Sequence, residues 1–345
     1  MANRTTANLV KAQAKLLSAF QAQELRFRNP VTYLAFKLSG AIMFPNYDML
    51  RTREDRTVET NYKLRAARTL GTGGRTHNHT GVKADTGTLT PSWTTYDDTF
   101  NMSLKQSDNS LYSAEEQLNH EIQEVIANMA EGLETVATNY IFNNRSQVNI
   151  MPAGIEGTFD AVDHAFEITE TTNGDRAIQI TKSVMHVNKY SGSNLAVFCD
   201  TVSFNKFEKD AAQGASNATN LSFQFNGVTF IHSVELGALG SGLVSAYNKG
   251  FWIVAEMGTF GVLPWIPKQN RNGVDTKEQT YSSLMNPVDG FSYAVNTYSE
   301  RADDSANNGY TQDEVTQYEI TIDQAFEDAP LSTANETVFQ AFALV

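Results

Sequence analysis

The sequence predicts an α+β chain: a compact mixed body carrying a long extended projection. Three observations carry this expectation. One helical periodicity runs without a break from Ser113 to Arg145, a polar stretch from Tyr47 to Asn109 alternates like extended strand, and the later apolar runs are short strands. No βαβ alternation is sustained long enough for a doubly wound parallel sheet.

In chain order, Leu9, Leu16, Phe20 and Phe27 lie at helical spacing with Lys11, Lys15, Gln21 and Glu24 between them, an amphipathic helix over 7–27 that Asn29-Pro30 ends. An apolar segment, Val31 to Phe44, follows and is interrupted by Gly40 and Pro45. Val58, Thr60, Tyr62, Leu64 and Ala66 then alternate with charged and polar residues, and Thr88 to Leu104 reads as a returning strand with Trp93, Tyr96, Phe100, Met102 and Leu104. Between them sit Gly71, Gly73, Gly74, Gly81 and Gly87. Such a hairpin has few core-forming side chains and is marginal alone in water. It needs support, either from its own body or from a second subunit.

Ser113 and Glu116 form a capping-box pair ahead of Leu118, Ile122, Val125, Ile126, Met129, Leu133, Val136, Tyr140 and Ile141. This predicts one helix of about 30 residues, or about 45 Å. Glu115, Glu121, Glu124, Glu131 and Glu134 are expected on its other face as a solvated or partner-facing stripe. Farther along, the pattern predicts a helix over 175–190, a buried strand Leu195–Cys199, a helix from the N-cap Asp200 to Ala212, and a hairpin about Asn226-Gly227. Strands over 251–255 and 261–266 precede a polar loop, Lys268 to Gln279. Two paired strands, 291–298 and 318–322, and an apolar tail, 338–345, expected to be buried by the body or by a neighbour, follow.

With 345 residues, the chain can bury about three quarters of its unfolded surface. Its lone Cys199 excludes an internal disulfide and any zinc site needing two thiolates. No apolar run approaches the roughly 20 residues that span a bilayer. The formal charge of −13 is unevenly spread: residues 1–80 hold 13 basic against 5 acidic side chains, so an arm with a surplus of eight positive charges precedes an acidic remainder. That asymmetry fits a nucleic-acid-binding arm, self-association of a basic extension with an acidic body, or an uneven solvated surface.

Catalytic signatures are weak. Gly71-Thr-Gly-Gly74 lacks the Lys-Ser/Thr of a phosphate loop, His77-Asn-His79 has no third ligand nearby, and His120, His164, His186 and His232 are scattered singly. Cys199 reads as a small buried hydrophobe. Lys63, Lys83 and Lys105 read as surface lysines, with no partner Asn named for a cross-link. No catalytic, cofactor-binding or metal residue is assigned.

The order of parts resembles the major capsid protein of tailed bacteriophages, the Hong-Kong-97-type or Johnson fold. Its best matching pieces are Ser113 to Arg145 as the spine helix, Phe251 to Pro267 as the segment re-entering the core, and Tyr318 to Phe326. The resemblance implies an N-terminal arm at 1–46, an extended E-loop hairpin at 47–109, the spine helix with part of the P-domain at 110–174, an A-domain at 175–285 and C-terminal P-domain strands at 286–345. It implies a structural, non-enzymatic subunit that self-assembles into hexamers and pentamers of an icosahedral virion shell built in the host cytoplasm. Portal, scaffolding and decoration proteins and non-specifically packaged DNA would be its partners, with no cofactor and no membrane. Inter-subunit contact would fall to Arg51, Arg53, Arg56, Arg65, Arg68 and Arg75 on the E-loop, docking against Glu121, Glu124, Glu131 and Glu134 of the spine helix. An encapsulin-like compartment and a soluble carboxylate-dependent hydrolase are the competing functions.

Overall fold

A computed structural model of the chain describes residues 2–22, 26–44, 53–54, 56, 59–63, 86–103, 113–145, 156–187, 190, 194–212, 222–225, 227–276, 279–302, 313–330 and 338–345. Helix α1 (Ala2–Gln21) lays Leu9, Ala12, Leu16 and Ala19 on the body. It starts and stops earlier than the expected 7–27. The Arg28 amide donates to Glu131 Oε1 at 2.9 Å, which holds the non-helical segment 26–30 along the long helix.

Helix α2 (Val31–Met43) runs through Gly40, where the sequence suggested an interruption. The glycine serves packing. A Cβ on Gly261 would lie 2.4 Å from the Gly40 Cα, so helix and strand meet backbone to backbone at this crossing. Beside it, Ser39 donates its hydroxyl to the Phe260 carbonyl and accepts from the Gly258 amide.

Strands β1 (Thr60–Lys63) and β2 (Thr86–Leu89) pair antiparallel as a two-stranded sheet joined to neither of the larger sheets. The expected returning strand, 88–104, is divided. After β2 the chain passes Pro91 and restarts as β3 (Thr94–Ser103), which belongs to the body. Aromatic side chains explain the division: Phe100 stacks on Tyr318 at 4.8 Å, and Tyr96 and Met102 pack against the same core.

Helix α3 (Ala114–Asn143) begins with the expected reciprocal cap, Ser113 accepting from the Glu116 amide while Glu116 accepts from the Ser113 amide. Its buried face follows the predicted spacing from Leu118 to Ile141. After it come β4 (Thr158–Asp160), β5 (Ala165–Ile168), α4 (Ala177–Val187) and β6 (Leu195–Cys199). Next are α5 (Thr201–Ala212), whose Ser203 amide is capped by Asp200 at 2.7 Å, then β7 (Ser222–Phe225) and β8 (Val228–His232). Gly227, at φ 77°, makes the turn of that hairpin. The rest is α6 (Val234–Ser241), β9 (Phe251–Glu256), β10 (Phe260–Trp265), a helical turn at Lys268–Asn272, β11 (Val274–Asp275), β12 (Gln279–Met285), β13 (Ser292–Ala302), β14 (Asp313–Asp328) and β15 (Gln340–Leu344). The region expected as polar loop thus contains a helical turn and β11 and leads directly into β12.

Two sheets result. One has the order β10-β14-β13-β12-β11 with β3 also on β14; the other runs β4-β5-β15-β9-β6-β8-β7. The tight turn from β9 to β10 carries the chain from one sheet to the other. β15 returns the C-terminal tail to the second sheet, parallel to β5 and antiparallel to β9, so the chain's own body buries it. At the meeting of α2, α3 and both sheets, Phe36 contacts Phe260, Phe326 and Tyr140 at ring distances of 4.9, 5.3 and 5.7 Å. A second cluster, with Trp252, Phe207, Phe230 and Phe342, fills the other face of the second sheet beneath α4 and α5.

Candidate assembly surface

The ribbon formed by β1 and β2 rises from a defined foot. Phe44, Leu263 and Ala325 make a small buried cluster, and Leu89 and Trp93 cover it. Across from them, the Arg53 carbonyl accepts from Trp265 Nε1 at 3.0 Å and from the Arg271 guanidinium. Glu54 pairs with Lys268, whose ammonium holds that carboxyl below its usual range. Arg56 lies over the Trp265 ring at 5.5 Å and reaches Asp323 Oδ1 at 3.5 Å; Thr95 donates to the same oxygen. Asp323 pairs in the ladder with both β3 and β10, so it marks the point where ribbon and body join.

Of the six arginines expected to contact a neighbour, Arg53 and Arg56 therefore have intrachain contacts at the foot. Arg51, Arg65, Arg68 and Arg75 lie outside the described residues, as do His77, His79, Lys83, Lys105 and the glycines from Gly71 to Gly81.

The acidic stripe on α3 divides in two. Glu124 is exposed and Glu121 half-buried. Glu131 accepts from the Arg28 amide, and Glu134 is only 4% exposed, accepting from the Tyr33 amide at 3.0 Å. Burial pushes the Glu134 carboxyl up to about 7, against the hydrogen bonds it accepts. The partner-facing expectation for Glu134 is thus overturned, and Glu131 is engaged within its own chain. Helical phase gives the reason: Glu134 follows Ile126 and Ala130 at steps of four, on the face that packs inward. Nearer the start of α3, Glu115 pairs with Lys15 at 3.1 Å and Lys11 at 3.4 Å, which hold α1 down and its own carboxyl low.

An open hollow of about 600 Å³ lies on the outer face of the first sheet. Register sets its floor as two cross-strand rows, Asn101–Gln317–Tyr298–Gln279 and Thr99–Glu319–Asn296–Tyr281. Glu319 is the one carboxylate among the described residues that line it. Among the described residues no group of three or more His, Cys, Asp or Glu is placed to hold a metal, and no helix is long and apolar enough to cross a membrane. Cys199 is fully buried, with its thiol pushed up by that burial.

No protein-family model and no curated protein matches the sequence. Among solved structures, the chain is similar to the capsid asymmetric unit of cyanophage Pam1 (9% identity, TM-score 0.49, covering 86% of this chain and 87% of that one). It is also similar to the mature capsid of bacteriophage PhiM1 (15%, 0.46, 84% and 82%) and the capsid of Ralstonia phage GP4 (8%, 0.45, 84% and 84%). All three are phage capsids.

Sequence reasoning missed the foot and the inward glutamates. Trp265-Ile-Pro267 followed by Lys268 and Arg271 was a visible signal for the foot, since a Trp at a strand end with nearby cations is a stacking platform. For Glu134 the signal was its phase.

Proposed function

We propose that the chain is the shell-forming subunit of a tailed double-stranded DNA phage capsid, associating with itself into hexamers and pentamers around the genome. The observation that carries this reading is the ribbon. Its foot is clamped by Trp265, Arg271, Lys268 and Asp323, while β1 and β2 pair only with each other among the described residues. A two-stranded ribbon is marginal in water, so a fixed foot aims it at a surface that can finish stabilising it. The same layout, arm, ribbon, long helix and two sheets, is the one the sequence resemblance implies. Arg51, Arg65, Arg68 and Arg75 would bring positive charge to a neighbour's acidic body, with Glu121 and Glu124 as the acids of the long helix that remain for docking. Charge complementarity of this kind sets partner choice more than subunit stability.

The test is negative-stain microscopy and sedimentation of the full chain, alone and co-expressed with its neighbouring structural genes, beside a variant with Arg65, Arg68 and Arg75 changed to Glu. Closed shells containing DNA are expected from the native sequence. The variant should keep its circular dichroism and lose assembly. A native protein that stays monomeric throughout, or a variant that assembles equally well, overturns the proposal; shells filled with a protein cargo instead of DNA would identify a compartment.

A further inference from the structure

Gly132 stands on the exposed ridge of α3, in line with His120, Glu124 and Asn128 at steps of four. Outside its own helix, no described atom lies within 4 Å of the place a Cβ would take. A glycine inside a helix weakens it relative to alanine. Gly261 has a reason in its backbone crossing with Gly40, and Gly273 has one in its φ of 68°. Among the described residues of its own chain, Gly132 has neither reason. It opens into a hollow of about 290 Å³ at the seam between β3 and α3, lined by Tyr96, Asp97, Asn128, Met129, Leu133 and Val136. Asn128 donates to Asp98 Oδ2 at 2.7 Å, which ties the two walls together beside the opening.

Helix α1 carries a surface that matches this hollow in shape. It buries Leu9, Ala12, Leu16 and Ala19, while its opposite face shows Val10, Ala14 and Leu17 to solvent; Val10 is 64% and Leu17 49% exposed. Ala14 lies between the two larger side chains at helical spacing, so this face is shallow at its centre and apolar on either side. How closely two helices approach depends on the side chains at their contact, and Ala14 on Gly132 permits a close one. Charge agrees with shape. Ala2–Gln21 holds Arg4, Lys11 and Lys15 and no acid, and Lys11 and Lys15 share one carboxylate, Glu115. The helix keeps a positive surplus, whereas Asp97 at the hollow and Glu124 on the ridge leading to it are exposed acids. The exposed stripe of α2, Leu38 and Ile42, brings no such charge, since Lys37 bonds the Asp289 carbonyl. The outer face of α1 points away from its own body, so only another copy can present it to the hollow.

We propose that the hollow at Gly132 receives the outer face of α1 from a second copy of this chain, with Ala14 over Gly132 and Val10 and Leu17 against the apolar walls. Two different patches meet in this contact, so its repetition closes a ring or extends a row of copies. A hollow that admits a few side chains buries far less than the roughly 1,200–2,000 Å² of a stable interface, so the contact adds to that of the ribbon and does not replace it. This docking role rests on the shell reading and gives α1 a part in assembly that the ribbon does not fill.

Cysteine pairing in assembled full-length protein tests it. Cys199 is fully buried, so new thiols report without background. The double variant Ala14→Cys, Gly132→Cys, assembled and then oxidised, should run as a ladder of joined chains on a non-reducing denaturing gel, because a disulfide forms only between closely apposed Cβ atoms. Each single variant should run as one chain. Gly132→Leu, which fills the hollow with a better helix former, should hold or raise the thermal midpoint of the isolated chain and lose assembly. Leu17→Glu should lose assembly with its circular dichroism unchanged. Native shells with no ladder from the double variant, a ladder from either single variant, or full assembly by Gly132→Leu overturns the docking role and leaves the shell reading standing. A native chain that forms no shell overturns both.

Discussion

The two large sheets solve the burial problem differently. In the second sheet, β6, β9 and β15 are apolar on both faces: Trp252, Val254, Val197 and Phe342 enter the cluster under α4 and α5, while Phe251, Ile253, Phe198 and Ala341 enter the shared core. In the first sheet, β14 turns Tyr318, Ile320 and Ile322 inward and leaves Gln317 and Glu319 exposed. A strand covered on both faces reads as a continuous apolar run, whereas a strand covered on one face alternates and has its register fixed by that alternation. The covered sheet is buried on both sides, and the half-covered sheet leaves the Gln317 and Glu319 face of β14 exposed.

The sharpest way to break this contrast is Trp252→Ala. Trp252 is fully buried, stacks on Phe342 at 5.9 Å, meets Phe207 edge-on at 5.2 Å and donates to Thr181 at 3.2 Å. Removing it should cost about 3–5 kcal/mol by the usual cavity and transfer cost of a buried aromatic. Urea unfolding monitored by circular dichroism reads this as a lower midpoint at an unchanged slope. A loss below about 1 kcal/mol would mean that the second sheet is not covered on that face.

A smaller loss is expected where α2 covers the first sheet. Gly261→Ala places a methyl 2.4 Å from the Gly40 Cα and 3.0 Å from its nitrogen, and both obstacles are backbone. Helix and strand must separate, at a cost of about 1–3 kcal/mol for overpacking. The same measurement checks it, and pairing the change with Gly40→Ala should show non-additive losses because the two positions share one contact.

These two sites also show how legible the molecule was. The runs Leu195–Cys199 and Phe251–Ala255, the Ser113 cap and the hairpin turn at Gly227 were readable because each is a local pattern with one physical meaning. Gly40 was read as a break because its reason, the approach of Gly261, lies more than 200 residues away. β12 was hidden because its sequence, QTYSSLM, is mostly polar, and only pairing with β13 organises it. The ribbon was over-extended for a related reason: Thr94 to Ser103 looks polar, yet every second side chain from Tyr96 to Met102 faces the body. Glu134 was assigned by charge when its position on the helix pointed inward.

The smallest effect should come from the open face of the first sheet. Thr99 occupies the edge of a cross-strand row, beside Glu319, with its side chain exposed in the hollow. Thr99→Ala removes a β-branched residue from a half-covered strand but leaves no cavity and strands no buried polar group. The expected change is within about 0.5 kcal/mol, the usual range for surface positions away from such features. The comparison becomes sharper if the measurement is repeated on assembled material. A near-neutral effect in the isolated chain, together with a clear loss in an assembly, would locate a partner on this face. A loss above about 1 kcal/mol in the isolated chain would instead mean that residues of the same chain cover it, and the first sheet would then be two-sided like the second.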